Sequence, residues 1–293
     1  MAEKARDITR RIKGIEETRK ITNAMQLIAA ARIARAQARA ERSRPFARAI
    51  GEMIEMLASE AKSSPLLAER DKIDNVGFIV ITGDRGLAGA YNSNILREAQ
   101  RAIVRERSAD RNVKITSVGR KGASYFKFRR IEVQDAFTGV SDKPSYEDAK
   151  KIAAKMIEGF TSGKFDKVSL AYTEFVSIAL QRAHVTQILP VPRPEGESKS
   201  GSEGPKALFD FEPEPEDLLD ALLPRYVEMK VYSALLESST SEHAARMRSM
   251  KSATDKAEDL IKVFQSRANK ARQSEITNEI ADIVGATEAL RTA

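Results

Sequence analysis

The chain has 293 residues, 42% hydrophobic and 31% charged but only 6% aromatic, and it contains no Trp; so few large core anchors, with Ala, Arg, Glu, Lys and Leu abundant, suit long helices better than one sandwich or barrel. Cys is absent, which excludes disulfides, thiolate nucleophiles and Cys-bound metals, and the two His, His184 and His243, are too few and too far apart in sequence for a His-based metal site. The net charge of +7 permits nucleic acid, anionic lipid or an acidic protein as partner without choosing among them, while no apolar run approaches the ~20 residues of a spanning helix and the first residues lack the apolar stretch of a signal peptide, so a mature protein of a cytoplasm-like compartment with at most peripheral membrane contact is expected.

Residues 1–60 read as a long N-terminal coiled-coil helix. Ile8, Ile12 and Ile15 sit on one helical stripe, and Ile21, Met25 and Ile28 on a neighbouring one. The Ala-rich run from Ala29 to Ala40 is built of strong helix formers. Pro45 removes a helix hydrogen bond and predicts a bend or break there. Residues 1–50 carry 13 Lys/Arg against 5 Asp/Glu. With Phe46 as the sole aromatic in that stretch, stacking on nucleic-acid bases is poorly served; an acidic protein surface, or simply solvent, suits this face better.

Over residues 74–192 the period changes. Val76–Thr82, Lys114–Val118, Val168–Thr173 and Val185–Val191 read as strands, and Asn92–Arg107 and Tyr146–Phe160 as helices between them. Alternation of this kind indicates a small parallel-sheet α/β domain. Residues 193–210 open with a Pro/Gly/Ser/charge-rich stretch too poor in apolar surface to order itself, so a flexible loop is expected.

The strongest periodicity lies in residues 211–288, read as a C-terminal coiled-coil helix. Steps of three and four from Leu219 give Leu222, Tyr226, Met229, Ser233, Leu236, Thr240, His243, Met247, Met250, Thr254, Ala257, Ile261, Phe264, Ala268 and Ala271, none of them charged. An uncharged seam at heptad spacing argues a coiled coil. Pro224 is expected near the helix start. After Ala271 the apolar positions move to Ile276, Ile280, Ile283 and Val284, a shift of register in which the seam changes partner or the supercoil relaxes. The economical arrangement pairs the two terminal helices antiparallel, with the longer C-terminal one projecting beyond its mate and needing another protein to cover its apolar stripe.

Candidate chemistry is sparse. The turn Gly83–Asn92 follows a strand and precedes a helix, as a phosphate cradle would, but its glycines follow neither the dinucleotide fingerprint nor the P-loop spacing. Asp135, Asp142, Glu147 and Asp148 could supply an acid-base pair, although nothing in the sequence fixes two of them at a useful separation. His243 on the seam reads as a polar residue that sets register, with a proton switch as the other possibility. The residues alone support a two-helix coiled coil carrying an α/β domain, part of a larger assembly. A free-standing scaffold and a nucleotide-binding protein using residues 83–92 are the other readings.

Four segments resemble the γ subunit of F-type, rotary ATP synthases of the bacterial type: IKGIEETRKITNAMQLIAAA at 12–31, GDRGLAGAYN at 83–92, LLDALLPRY at 218–226, and the run from Tyr232 to Gly285. Ala88 stands where members of the family often carry Cys. The resemblance implies a long antiparallel two-helix coiled coil with an inserted Rossmann-like α/β domain. It also implies no catalytic site, cofactor or metal of its own, no nucleic-acid partner and no direct small-molecule substrate. The implied role is the central rotor shaft, coupling proton flow through the membrane c-ring to ATP synthesis and regulating ATPase activity. The implied partners are the α3β3 catalytic hexamer, the ε subunit and the c-ring, and the implied location is the cytoplasmic face of the bacterial plasma membrane. By motif match, Met25, Arg246, Gln273 and Thr277 are expected to contact the catalytic β subunit.

Overall fold

The computed structural model describes residues 5–58, 64–192 and 214–292; the loop expected at 193–210 lies outside them. Helix α1 spans Ala5–Ala58. It is followed by β1 (Asn75–Ile81), α2 (Tyr91–Ser108), β2 (Asn112–Val118), α3 (Arg120–Phe128), β3 (Val133–Phe137), α4 (Tyr146–Thr161), β4 (Lys167–Phe175), β5 (Gln181–Leu189) and α5 (Pro215–Thr292). Two compact units result, Ala30–Ala245 and the combination of Met1–Ala29 with Arg246–Ala293.

In the unit Ala30–Ala245 the five strands form one sheet in the order β3-β2-β1-β4-β5. The first four run parallel, and β5 returns antiparallel beside β4. The alternation of β1 shows how the sheet separates its two cores. Val76, Phe78 and Val80 face a cluster with Ile95, Ala99 and Ile103 of α2 and Phe126 of α3. Ile79 and Ile81 face a second cluster with Ile152 and Met156 of α4, Ile50, Ile54 and Leu57 of α1, and Leu219, Leu223 and Val227 of α5. Two elements were not expected: α3, which is short, and β3, whose residues alternate between half-buried and exposed.

Pro45 does not break its helix, while Pro224 falls near the start of its helix as expected. Pro45 lies inside α1, which continues unbroken to Ala58. The turns after it bury Ile50, Ile54 and Leu57, and that packing outweighs one missing backbone bond. Pro224 lies in the third turn of the 78-residue α5; Leu219, Leu223 and Val227, spaced by four, are fully buried around it. The expected seam residues Leu222 and Tyr226 are only half-buried in this stretch. From Ser238 to Ala245 the helix is buried on every side, so the uncharged seam there is one face of a core helix rather than a two-helix interface. Small hydroxyl residues allow the close approach: Thr173 N–H of β4 donates to Ser238 Oγ at 3.2 Å, and Ser241 Oγ donates to Thr173 O at 3.2 Å.

In the unit formed by Met1–Ala29 and Arg246–Ala293, α1 and α5 pair antiparallel. Cross-helix bonds fix the direction: Thr22 opposes Thr254 at 2.7 Å, Arg19 Nη1 donates to Glu258 Oε1 at 3.1 Å, and Ala5 N–H donates to Glu275 Oε1 at 3.0 Å. On α5 the seam is as expected. Met250, Thr254 and Ala257 are buried and Ile261, Phe264, Ala268 and Ala271 half-buried, while the residues between them, apart from half-buried Ala253, face solvent. On α1 the seam continues from Ile8, Ile12 and Ile15 through Arg19, Thr22, Gln26 and Ala29. It does not take in Ile21 and Ile28, which are exposed. The four-three alternation, once begun at Ile8, selects Thr22 and Gln26 and turns the neighbouring isoleucines outward.

Candidate partner-contact surfaces

The Gly-rich turn is consumed by intramolecular contacts. Gly83 N–H donates to Asn92 Oδ1 at 2.8 Å, and a side chain at Gly83 would meet the Glu242 carboxylate of α5 at 2.8 Å. Gly119, at φ +92°, has no room for a Cβ, which would lie 2.2 Å from Thr82 O. Asp84 is buried. Burial opposes its ionisation, but N–H groups of Gly139, Ser141 and Arg120 and the Ser141 hydroxyl bond its carboxylate and hold its pKa below the ordinary value. Sheet order reverses between β1 and β4, where open α/β sheets take their ligands. Here α5 fills that crevice, with Glu242 against the end of β1 and Ser238 and Ser241 bonded to β4. The phosphate-cradle reading of residues 83–92 therefore fails on geometry.

The carboxylates also have structural employment. Asp135 pairs with Lys155. Asp148 closes a capping box with Ser145 at the start of α4, and Glu147 stands beside it in the first turn. Asp142 pairs with Arg32, lies 3.8 Å from Arg85 Nη2 and 3.9 Å from His243 Nε2. His243, read from the sequence as a seam residue, is buried within the unit of the sheet.

The four residues singled out for partner contact fall into two zones of the paired helices. Thr22 opposite Thr254 puts Met25 near the level of Lys251, about 7 Å along the axis from Arg246. Met25 is half-buried and Arg246 is buried. Gln273 and Thr277 are exposed and one turn apart, with Thr277 Oγ1 donating to Gln273 O at 2.8 Å. They lie ~40 Å from Arg246 along the helix.

Apolar side chains off the seam were legible in composition but not in orientation. Ile21, Leu27 and Ile28 on α1 are more than half exposed. On α5, Leu260 and Val263 are exposed, as are Ile276, Ile280, Ile283, Val284 and Leu290. Three exposed isoleucines at 276, 280 and 283 share one helix face. A pair of helices that solvates this much apolar surface is shaped to be surrounded by other protein.

Fold and surfaces together define a class: a coiled-coil protein with a Rossmann-like domain whose ligand crevice is closed by its own helix, built to make protein contacts along its rod. A family model described as ATP synthase matches residues 4–290. The ATP synthase gamma chain of Parafrankia sp. is 47% identical, with 99% of each chain covered, and that of Thermobifida fusca is 42% identical over 100% of this chain and 98% of the relative. Among solved structures, the central stalk and c-ring structure of the Tetrahymena thermophila mitochondrial ATP synthase contains a chain 27% identical, covering 80% of this chain and 99% of its own, at a TM-score of 0.60. A rotor chain of the Euglena gracilis mitochondrial ATP synthase, 19% identical, shares the fold at a TM-score of 0.66, with 93% and 98% covered. The chain belongs to the ATP synthase gamma chain family, the non-catalytic central-shaft subunits of rotary ATP synthases. Among the described residues no helix is long and apolar enough to cross a membrane.

Proposed function

We propose that this chain turns inside an α3β3 catalytic hexamer, with the α/β domain meeting the ε subunit and the c-ring at the cytoplasmic face of a bacterial plasma membrane. The observation that carries the reading is the set of exposed apolar residues on the two helices, Ile21 and Ile28 on α1 and Ile276, Ile280 and Ile283 on α5. An asymmetric rod presents a different face to each catalytic subunit. Its rotation shifts their open and closed populations by differential contact energy. Torque requires a rod that resists twisting, and the interlocked seam from Met250 to Ala271 against α1 supplies that resistance.

Met25 and Arg246 form one contact zone, and Gln273 with Thr277 a second. The second is the cleaner test, because both side chains are exposed and can be removed without disturbing the seam. Gln273→Ala with Thr277→Ala should depress turnover and ATP-driven proton pumping in reconstituted vesicles, while the catalytic subunits keep their nucleotide affinity. Arg246→Ala should act similarly through the first zone; its burial requires that melting be measured beside pumping. Normal turnover and normal pumping per ATP in both variants would overturn these contact assignments.

A further inference from the structure

We infer that the cleft lined by Arg32, Arg35, Arg39, Arg42, Lys143 and His243 binds a compact polyphosphate, either the phosphate tail of a nucleotide or free pyro- or tripolyphosphate. The site lies wholly within the unit Ala30–Ala245 and does not depend on the shaft reading. Its volume of about 480 Å³ is that of a small-ligand site. The four arginines follow one another at spacings of three, four and three on α1, so they share one helix face. Crowding like charges in this way destabilises a helix unless an anion offsets it.

Among the described residues the lining holds one carboxylate, Asp142, which is occupied by Arg32 and has Arg85 and His243 nearby. Among the described residues, Arg35, Arg39, Arg42 and Lys143 have no ion-pair partner. Arg39 Nε is moreover buried with no hydrogen-bond acceptor, an unmet donor that a buried site normally satisfies. Guanidinium groups match phosphate oxygens with paired, charge-assisted hydrogen bonds. Among the described residues no Phe, Tyr or Trp lines the cleft, and the His243 ring is buried, so a base has no open ring face to stack on and the phosphates supply the recognition. A concave cavity with a buried donor suits a small anion that enters it better than a flat acidic protein face.

The full chain, titrated by calorimetry at fixed ionic strength with sodium tripolyphosphate, ATP, AMP and sulfate, tests this. Tripolyphosphate and ATP should bind and AMP and sulfate should bind far more weakly. A tighter ATP complex would assign the site to nucleotides, and a tighter tripolyphosphate complex to free polyphosphate. Arg35→Gln with Arg39→Gln should weaken binding at least about tenfold, the effect of losing even one charge-assisted hydrogen bond. Arg35→Gln with Arg42→Gln, both exposed in the native chain, should do the same without lowering the melting temperature. Arg97→Gln with Arg101→Gln, on α2, should leave affinity unchanged. Equal weakening by the α2 pair would reveal general charge attraction and overturn the site, as would unaltered affinity in both cleft variants or equal competition by a hexaglutamate peptide.

Discussion

Replacing Met250 with Asp places a carboxylate in the seam of the paired helices, at a position only 4% exposed and one turn before the Thr22–Thr254 contact. Two losses add. Withdrawing the methionine side chain from its buried site forfeits about 2 kcal/mol of apolar burial. The carboxylate must then be desolvated without a designed partner, or protonate, at a cost of several kcal/mol more. A total near 5 kcal/mol lies in the severe range for one substitution, and for a chain of this size it should lower the melting temperature by about 10 °C or more. Leu260→Asp is the matched control: the same helix and the same change of character, but a side chain 47% exposed. It should melt within a few degrees of the parent. Helix content followed by circular dichroism during heating reads both. Equal melting of Met250→Asp and Leu260→Asp would refute the buried seam and with it the stiffness argument.

Gly119→Ala should destabilise strongly, because φ is +92° and the new Cβ would lie 2.2 Å from Thr82 O, whereas Gly139→Ala, also at positive φ but in open space, should cost only about 1 kcal/mol; thermal melts of the pair separate collision from conformation. Asp84 has a folded-state pKa held below its unfolded value, so its stabilising contribution is complete above about pH 4 and is lost as pH falls through the folded value. Asp84→Asn should therefore be destabilising at neutral pH and should flatten the acid limb of a stability-against-pH curve. Glu237 has the opposite sign: burial first, then repulsion from Glu174, raises its pKa despite Arg44, Lys230 and the Phe175 backbone. Glu237→Gln should raise the melting temperature most at neutral pH, with the advantage fading as acid titrates the native carboxylate.

How much of this was legible in the sequence depended on whether one contact or several set a residue's environment. From Met250 to Ala271 the helix has a single partner, so heptad spacing alone picks the buried residues. From Leu219 to His243 the same spacing finds Leu219, Met229, Leu236, Thr240 and His243, all buried, but misses Leu223, Val227 and Val231, which are buried too because that stretch packs into a core shared with α1, α4 and the sheet. On α1, Ile21 and Ile28 look like core by composition, yet polar Thr22 takes the seam, bonded across to Thr254. The strand β3 was missed because its half-exposed residues carry no apolar run. The proposed contact residues Met25, Arg246, Gln273 and Thr277 came from resemblance, and periodicity could not have proposed them, since a partner outside the chain leaves no mark on its spacing. The arginine cleft was visible only as net basic charge; its concavity requires Lys143 and His243, about 100 residues or more away in sequence, to be folded against α1.

A turning shaft with no chemistry of its own should rotate under ATP hydrolysed by other subunits. The most direct measurement combines it with ATP synthase α and β subunits, fixes the hexamer to a surface, and attaches a probe to an exposed residue of its α/β domain. The account predicts ATP-dependent, one-way rotation of the probe, with no ATP hydrolysis by the chain alone. Hydrolysis by the isolated chain, or sustained ATPase activity of the complex while the probe stays still, would contradict it.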